Sequence, residues 1–275
     1  MSLEVEVFIQ QVLIGLTIGG YLALIALGYT MVYGIIELIN FAHGDLFAFG
    51  FFISLTLFTI INPPRPLDTV GLIVILPLIF LITMLLTGGL NLMIDRVAYR
   101  PLRNAPRLAP LLTAVGVSFV LEALFAIWQG PSQVNYPRYF PEANILRDVF
   151  NIDTFILFTS KDVFLFAVTI PLVIGLTLFI GRTRIGKAMR ACAQDREAAA
   201  MMGINVNRII ATTFFVGGAL AGGADHLGAL PGLGEHVAER VDHHRVTGVA
   251  RPGLGRRHHE HGVLDRPRPH QGAPV

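Results

Sequence analysis

Residues 163–180 read VFLFAVTIPLVIGLTLFI and carry no charged side chain. A helix needs about 20 consecutive apolar residues to cross the hydrocarbon core of a bilayer, and this stretch approaches that length. Four further stretches have the same character and lie near Val7–Tyr33, Leu46–Ile61, Val70–Met93 and Leu111–Trp128. A sixth begins near Ile209 and runs through ATTFFVGGALAGG. The pattern predicts an all-α fold, a polytopic transmembrane bundle of about five to six spanning helices.

The overall composition agrees with a membrane protein. Hydrophobic residues make up 53% of the 275-residue chain and charged residues only 15%, which lies outside the range of ordinary soluble domains. The N-terminus, MSLEVEVF, has two acids and no lysine or arginine, unlike the basic start of a cleaved signal peptide. We therefore expect the first helix to remain in the protein. The formal net charge of +2 does not point to nucleic acid, and we expect no such partner.

The charges of the loops predict the orientation, because lysine and arginine collect on the cytoplasmic side of short loops. Residues 95–107 carry four arginines against Asp95, and residues 181–208 carry six basic side chains against Asp195 and Glu197. Both loops should be cytoplasmic. Residues 130–162 have nearly balanced charge and a proline-rich stretch, which suits an extracytoplasmic connection. The N-terminus then lies outside, and Cys192 lies in the reducing cytoplasm.

Two pairs of glycines recur at four-residue spacing, Gly15/Gly19 and Gly218/Gly222. Within a bilayer, small residues at this spacing let helix backbones approach closely, since packing must replace the hydrophobic drive. Glycine is also common in membrane helices without any such role. Taken together, the pairs favour a multi-helix bundle over isolated anchors.

Polar side chains interrupt the apolar pattern at residues 34–50, GIIELINFAHGDLFAFG, where Glu37, Asn40, His43 and Asp45 occur. Ionisable groups near membrane depth usually face a protein interior or a water-filled cavity. The segment is therefore either a broken or re-entrant stretch that lines the solute path or a polar turn that holds two helices together. A metal or catalytic site is a weaker alternative, because no second histidine or recognised ligand spacing accompanies His43.

Glu122 lies within the fourth apolar stretch. An unpaired carboxylate there would cost several kcal/mol, so the side chain should be protonated, partnered or facing water. An interhelix hydrogen bond explains it better than a proton-coupling role.

The segment Gly181–Ala188, GRTRIGKA, imitates a phosphate-binding loop in seven of eight positions, but Ala188 lacks the hydroxyl that would bind magnesium. It also follows an apolar helix rather than a strand. We therefore expect a basic cytoplasmic anchor here and ATP hydrolysis on another chain.

The following stretch, AQDREAAAMMG, predicts a short capped helix. Asp195 and Glu197 stand at its start, and Gly203 stands just past its end. Such a helix, exposed between two spanning helices, has little to bury except the surface of a partner.

Three stretches make the chain resemble the permease subunits of branched-chain amino-acid ABC transporters. They are INFAHGDLFAFG at 39–50 preceded by ALGYTMVYGII, YRPLRNAPRLAPLLTAVGVS at 99–118, and GKAMRACAQDREAAAMMGINVNRI at 186–209. The similarity covers about residues 1–224. It implies a multi-pass subunit of the bacterial inner membrane that imports branched-chain amino acids or related small polar solutes and is not an enzyme.

The resemblance also implies partners and site residues. The partners are a second permease subunit, two ATP-binding subunits, an extracytoplasmic solute-binding protein and the lipid bilayer. The chain itself needs no cofactor, since its partners bind ATP. The family's cytoplasmic coupling pattern falls on Glu197, Ala198, Ala199 and Gly203. The family signature near the translocation path falls on Asn40, His43 and Gly44. Glu37 and Glu122 join them as candidates for the path because they are ionisable residues near membrane depth. The alternative is a channel or secondary transporter that needs no ATPase.

The composition changes at Asp225. Residues 225–275 lack isoleucine, phenylalanine, tyrosine, tryptophan, methionine, lysine, asparagine and serine, and hold eight of the nine histidines. This bias predicts a GC-rich gene read out of frame, either in the cell or through an error in the gene sequence. If the change of frame is real in the cell, we expect a bundle that is truncated relative to the family and inactive in transport. A metal-binding tail is the weaker alternative; its candidate ligands are His243, His244, His258, His259 and His261. We expect a disordered tail after a permease domain of residues 1–224.

Overall fold

A computed structural model describes residues 3–37, 39–65, 67–68, 71–103, 105–106, 108–130 and 156–228. The secondary-structure elements within these ranges are all helical, which confirms the predicted fold class. The α-helices are α1 (Leu3–Ile36), α2 (Ala42–Ile61), α3 (Leu76–Ile94), α4 (Leu108–Gln129), α5 (Ser160–Arg182), α6 (Arg184–Gln194), α7 (Arg196–Met201) and α8 (Val206–Gly228). A π-helical turn precedes α3 at Gly71–Ile75, and a second follows it at Asp95–Tyr99.

Five helical segments are long and apolar enough to cross a membrane. They are Glu4–Ile36, Ala42–Ile61, Gly71–Leu102, Leu108–Gln129 and Ser160–Arg182. They confirm the five complete spans predicted from the sequence. All five are longer than predicted, because helical hydrogen bonding extends beyond the apolar stretch into polar residues, as it does at Asp95–Tyr99.

The sixth predicted segment forms α8, which is the central helix of the described bundle. It packs against α3, α1 and α2, while α4 lies against α2 and α5 against α1. Helix α8 continues to Gly228, past the predicted change at Asp225, and both Asp225 and His226 are buried. The His226 Nδ1 lies 2.6 Å from the Ser54 hydroxyl. The remaining tail, residues 229–275, lies outside the described residues.

Glycines set the distance between α8 and its neighbours. A Cβ atom added to Gly50 would lie 2.6 Å from the Cα of Gly222, and one added to Gly28 would lie 2.9 Å from the carbonyl oxygen of Gly217. A Cβ at Gly218 would lie 2.9 Å from the Thr87 carbonyl oxygen. Backbones this close leave no room for a side chain, so α8 fits only because these positions are glycine.

The ends of α1 and α5 on the predicted extracytoplasmic side are joined through a glutamine. The backbone N–H of Leu157 donates to Gln10 Oε1 at 2.6 Å, and Gln10 Nε2 donates to the Leu157 carbonyl at 3.4 Å. The side chain of Asp162 caps the start of α5 by accepting from the Thr159 N–H at 2.9 Å. Residues 131–155, most of the predicted extracytoplasmic loop, lie outside the described residues.

Candidate translocation and coupling site

The polar segment between α1 and α2 is a turn. Helix α1 ends at Ile36, Glu37 has a left-handed backbone with φ of 58°, and α2 begins at Ala42. Asn40 is buried in this turn, and its Oδ1 accepts a hydrogen bond of 2.7 Å from the Tyr99 hydroxyl. The turn thus ties α1 and α2 to the end of α3.

The other polar residues of this segment face different neighbours. His43 is buried against α1, with its ring 5.6 Å from that of Tyr29 in an edge-on arrangement. Gly44 is exposed, and a Cβ added there would touch nothing within 4 Å. The Ser118 hydroxyl of α4 donates to Asp45. These contacts match a turn that holds helices together. Among the polar residues of this segment, Glu37 and Asn40 also border a space between the helices.

That space is a cavity of about 210 Å³ at the predicted cytoplasmic end of the bundle. Its polar lining includes Glu37, Asn40, Asp95, Tyr99, Arg103 and Arg196. Its apolar lining includes Val32, Ile36, Ile39, Ile210 and Phe214. The cavity therefore joins the α1–α2 turn, the end of α3, the short helix α7 and the central helix α8.

An ion pair crosses one wall of the cavity. Arg103 Nη2 lies 2.6 Å from Oδ1 of the buried Asp95, and Arg103 Nη1 donates to the side chain of Asn207. The backbone of Phe214, another lining residue, is held by α3, because Asn91 Nδ2 donates to the Phe214 carbonyl oxygen at 2.7 Å. Arg103 thus bridges Asp95 and Asn207, and so connects the end of α3 to the start of α8.

Glu122 lies apart from this cavity. It is exposed on the outer face of α4, among apolar side chains such as Phe119 and Ile127 that are exposed as well. Glu122 does not line the cavity. Its assignment to the translocation path stays a prediction. His43 and Gly44 also lie outside the cavity lining.

The loop that imitates a phosphate-binding motif is a tight corner between α5 and α6. Thr183 caps α6 by accepting from the Gly186 N–H at 3.0 Å. Gly186 packs directly on the carbonyl groups of Phe179 and Ile180, where a Cβ would clash. The glycine thus serves the turn between two helices.

Helix α7 is capped at both ends, as predicted. Asp195 Oδ1 accepts from the N–H groups of Glu197 and Ala198 at 2.9 and 3.0 Å. Gly203 has φ of 84°, and the Ile204 N–H donates to the Ala199 carbonyl at 3.1 Å. This is the usual left-handed end of a helix, which favours glycine because other residues are strained there.

One side of α7 is buried against other helices, and the opposite side is exposed within the described part of the chain. Ala199 is buried among Cys192, Ile209 and their neighbours, while Glu197 is exposed. Met201 and Met202 are each 83% exposed and extend the free side. Methionine is flexible and polarisable, and it is used often at adaptable binding surfaces.

Sequence reasoning missed several residues of this region. Asp95 could have been recognised as the single acid in an arginine-rich loop, and Met201 and Met202 as an apolar pair on a helix predicted to be exposed. Nothing local marks Tyr99, Ile210 or Phe214, because their role depends on a cavity built from distant segments.

Cys192 offers a test of the packing around α7. The side chain is 1% exposed in α6, and burial raises the pKa of its thiol, although Arg196 offsets part of that shift. Since the thiolate is the reactive form, we expect Cys192 to react with a maleimide at least about tenfold more slowly than a cysteine introduced by Met201→Cys in a Cys192→Ala background. Mass spectrometry of the labelled protein measures this, and equal rates would contradict the packing of α6 against α7.

Comparison with known proteins fixes the family. Residues 11–229 match the family described as "Branched-chain amino acid transport system / permease component". The chain belongs to this family. The permease is 40% identical over 218 residues to the high-affinity branched-chain amino acid transport system permease protein BraD of Pseudomonas aeruginosa, covering 79% of this chain and 69% of that protein.

Two other relatives carry related names. The permease is 38% identical over 221 residues to LivH of Escherichia coli, a high-affinity branched-chain amino acid transport system permease protein, covering 80% of this chain and 70% of that one. It is 30% identical over 252 residues to a probable branched-chain amino acid transport permease protein LivH of Methanocaldococcus jannaschii, covering 88% and 72%. No solved structure matches it significantly. The permease is thus a multi-pass inner-membrane transport component rather than an enzyme.

Proposed function

We propose that the permease imports branched-chain amino acids or related small polar solutes as one subunit of an ATP-driven transporter. Two ATP-binding subunits would hydrolyse ATP, a second permease would complete the membrane domain, and an extracytoplasmic binding protein would deliver the solute. The chain itself would need no cofactor. Its membership of the permease family supports this proposal, as does the corner at Gly186, whose packing leaves no cradle for phosphate.

The observation that carries the proposal is the geometry of α7. This helix is capped at both ends, anchored through Ala199 and exposed at Glu197, Met201 and Met202 on the predicted cytoplasmic side. A rigid, half-exposed helix of this kind can receive a push from a soluble motor and pass it on. We assign the coupling role to four residues of this element: Glu197 and Ala198 lie toward the motor, the buried Ala199 anchors the helix, and Gly203 ends it.

A displacement of α7 by the motor would be transmitted to the membrane helices through a short connection. Only four residues, 202–205, separate α7 from α8, and α8 is the central helix against which α1, α2 and α3 pack. Movement of α7 would therefore shift α8 relative to its neighbours. Closure of the motor would bias the bundle between outward-facing and inward-facing states, without any covalent step in the permease.

The test is assembly with ATPase subunits encoded beside the permease gene. We expect the full chain, purified in detergent, to form a stable complex with them and to change their rate of ATP hydrolysis. A membrane protein of unrelated fold serves as the control. If neighbouring genes encode no ATPase, or if purified ATPase subunits neither bind nor respond, the permease works without a motor and the proposal fails.

A further inference from the structure

The outer face of α4 carries a carboxylate among apolar side chains. Glu122 is exposed, and so are Phe119 and Ala126, which lie one helical turn to either side of it. Among the described residues, Glu122 has no hydrogen-bond or ion-pair partner. Every other Asp, Glu, Lys or Arg of α1 to α5 lies in the first or last turn of its helix. Glu122 is therefore the exception in this bundle.

Contacts with α2 place Glu122 well inside the membrane span. The Ser118 hydroxyl donates to Asp45, and the Phe125 ring lies 4.5 Å from that of Phe49, so Glu122 lies between two contacts with α2. With a rise of 1.5 Å per residue, it is about 10 Å from the end of α4 at Gln129 and about 21 Å from the start. Long lysine and arginine side chains can extend to the headgroups over such distances, but the shorter glutamate cannot.

A carboxylate at this depth is expected to face protein or water rather than lipid tails, because hydrocarbon offers no hydrogen-bond donor. The described helices do not cover this face, since α4 packs mainly against α2 and the turn at Asp95–Tyr99. The proposed function supplies a neighbour in the membrane, the second permease subunit. Its helices are the natural cover for the outer face of α4.

A second copy of this chain fits the face poorly. Two copies in one membrane are related by a rotation axis along the membrane normal, which brings identical residues to the same depth. If they paired through α4, each Glu122 would lie near the other, and like charges repel strongly where the dielectric constant is low. A partner of different sequence can place a positive charge at that depth instead.

The face also has room for a helix. Gly116 and Ala123 are exposed and two turns apart on the same side of α4, and a Cβ added to Gly116 would meet nothing within 4 Å. Small residues let the backbone of a neighbouring membrane helix approach closely, and polar side chains hydrogen-bond across such contacts. The outer face of α4 combines both features.

We propose that this face, formed by Leu112, Gly116, Phe119, Glu122 and Ala123, docks a membrane helix of the second permease subunit. Glu122 pairs with a lysine or arginine of that helix. The existence of the partner rests on the proposed function, whereas the surface rests on the exposed carboxylate and its apolar surroundings. The charge pair selects the second permease over another copy of this chain.

The first measurement is site-specific photocrosslinking of the full chain, coexpressed with the second permease encoded beside its gene. We expect p-benzoylphenylalanine in place of Phe119 to crosslink to the second permease, as identified by mass spectrometry. The same probe in place of Ile174 is the matched control, because Ile174 is 54% exposed on the outer face of α5. The control should give little of that product.

Substitution of Glu122 tests the charge. Glu122→Leu should weaken the affinity for the second permease at least about tenfold, because it leaves a cation of the partner unpaired in the membrane. At a lipid-facing position, the same change would leave the affinity unchanged. Energy transfer between labelled subunits in nanodiscs measures the affinity, and thermal unfolding checks that the variant folds. Glu4→Leu makes the same change at an exposed residue in the first turn of α1 and should bind like the unchanged chain.

A charge swap tests the pairing itself. Glu122→Lys should also lose the second permease, and exchange of one membrane lysine or arginine of that subunit for glutamate should restore the association. If no such exchange restores it, Glu122 does not pair with a cation of the second permease.

Several further outcomes would overturn the inference. Crosslinks from position 119 only to a second copy, to another segment of the same chain or to lipid would each do so. If the second permease and the ATPase subunits associate but crosslink only from position 174, the importer stands and this surface is wrong. Docking through α4 without any response of the ATPase subunits would keep the surface and refute the ATP-driven importer.

Discussion

Gly222→Val should prevent the bundle from packing, whereas Gly19→Val should leave it almost unchanged. A Cβ at Gly222 would lie 2.7 Å from the Cβ of Thr87, and the same glycine is within 2.6 Å of the Cβ that Gly50 would carry. Overpacking of a well-filled core costs about 1–3 kcal/mol, and here two neighbouring helices would have to move at once. We expect loss of the folded state in detergent, measured by thermal unfolding and gel filtration.

Gly19→Val is the matched control because Gly19 belongs to a pair with the same four-residue spacing. A Cβ at Gly15 or Gly19 would meet nothing within 4 Å. The control should therefore unfold within a few degrees of the unchanged chain. Equal damage by both substitutions would mean that the α1 face at Gly15 and Gly19 is also packed, and that the central position of α8 is wrong.

Replacing both exposed methionines of α7, Met201→Asp with Met202→Asp, should abolish binding to the ATPase subunits while the permease remains folded. Both side chains are 83% exposed, so the free energy of unfolding should change by less than about 0.5 kcal/mol. Two carboxylates placed in an apolar contact would be desolvated without partners, which costs far more than such an interface can return. We expect at least about a hundredfold loss of affinity, measured by surface plasmon resonance with purified ATPase subunits.

Gln194→Asp is the control for added negative charge. Gln194 is exposed at the end of α6, one residue before the Asp195 cap of α7, and it is not part of α7. This variant should bind the ATPase subunits within about twofold of the unchanged chain. If the double methionine variant binds the ATPase subunits as tightly as the unchanged chain, α7 is not the contact with the motor.

The helices and the capped α7 followed from the sequence because their causes are local. An uninterrupted apolar stretch sets a membrane span, and the carboxylate of Asp195 with the left-handed Gly203 sets the ends of a short helix. Each cause lies within a few residues of its effect. The family signatures are equally local, so the transport role could be recognised from three stretches of the chain.

The cavity could not be derived in this way. Asn40 and Tyr99 are 59 positions apart, and Ile210 and Phe214 come from a segment more than 100 residues further along. The sequence marked Asn40, His43 and Asp45 alike as polar residues near one turn. Only packing shows that Asn40 faces the cavity, while His43 lies against Tyr29 and Asp45 meets Ser118.

The two glycine pairs show what the sequence determines and what only the tertiary structure determines. The sequence alone determined that Gly15/Gly19 and Gly218/Gly222 could each allow close helix contact, since that possibility depends only on spacing along a helix. The tertiary structure decided that Gly218 and Gly222 lie against Thr87 and that Gly15 and Gly19 face outward. Spacing fixes which residues share a helix face, but the neighbour on that face comes from another part of the chain.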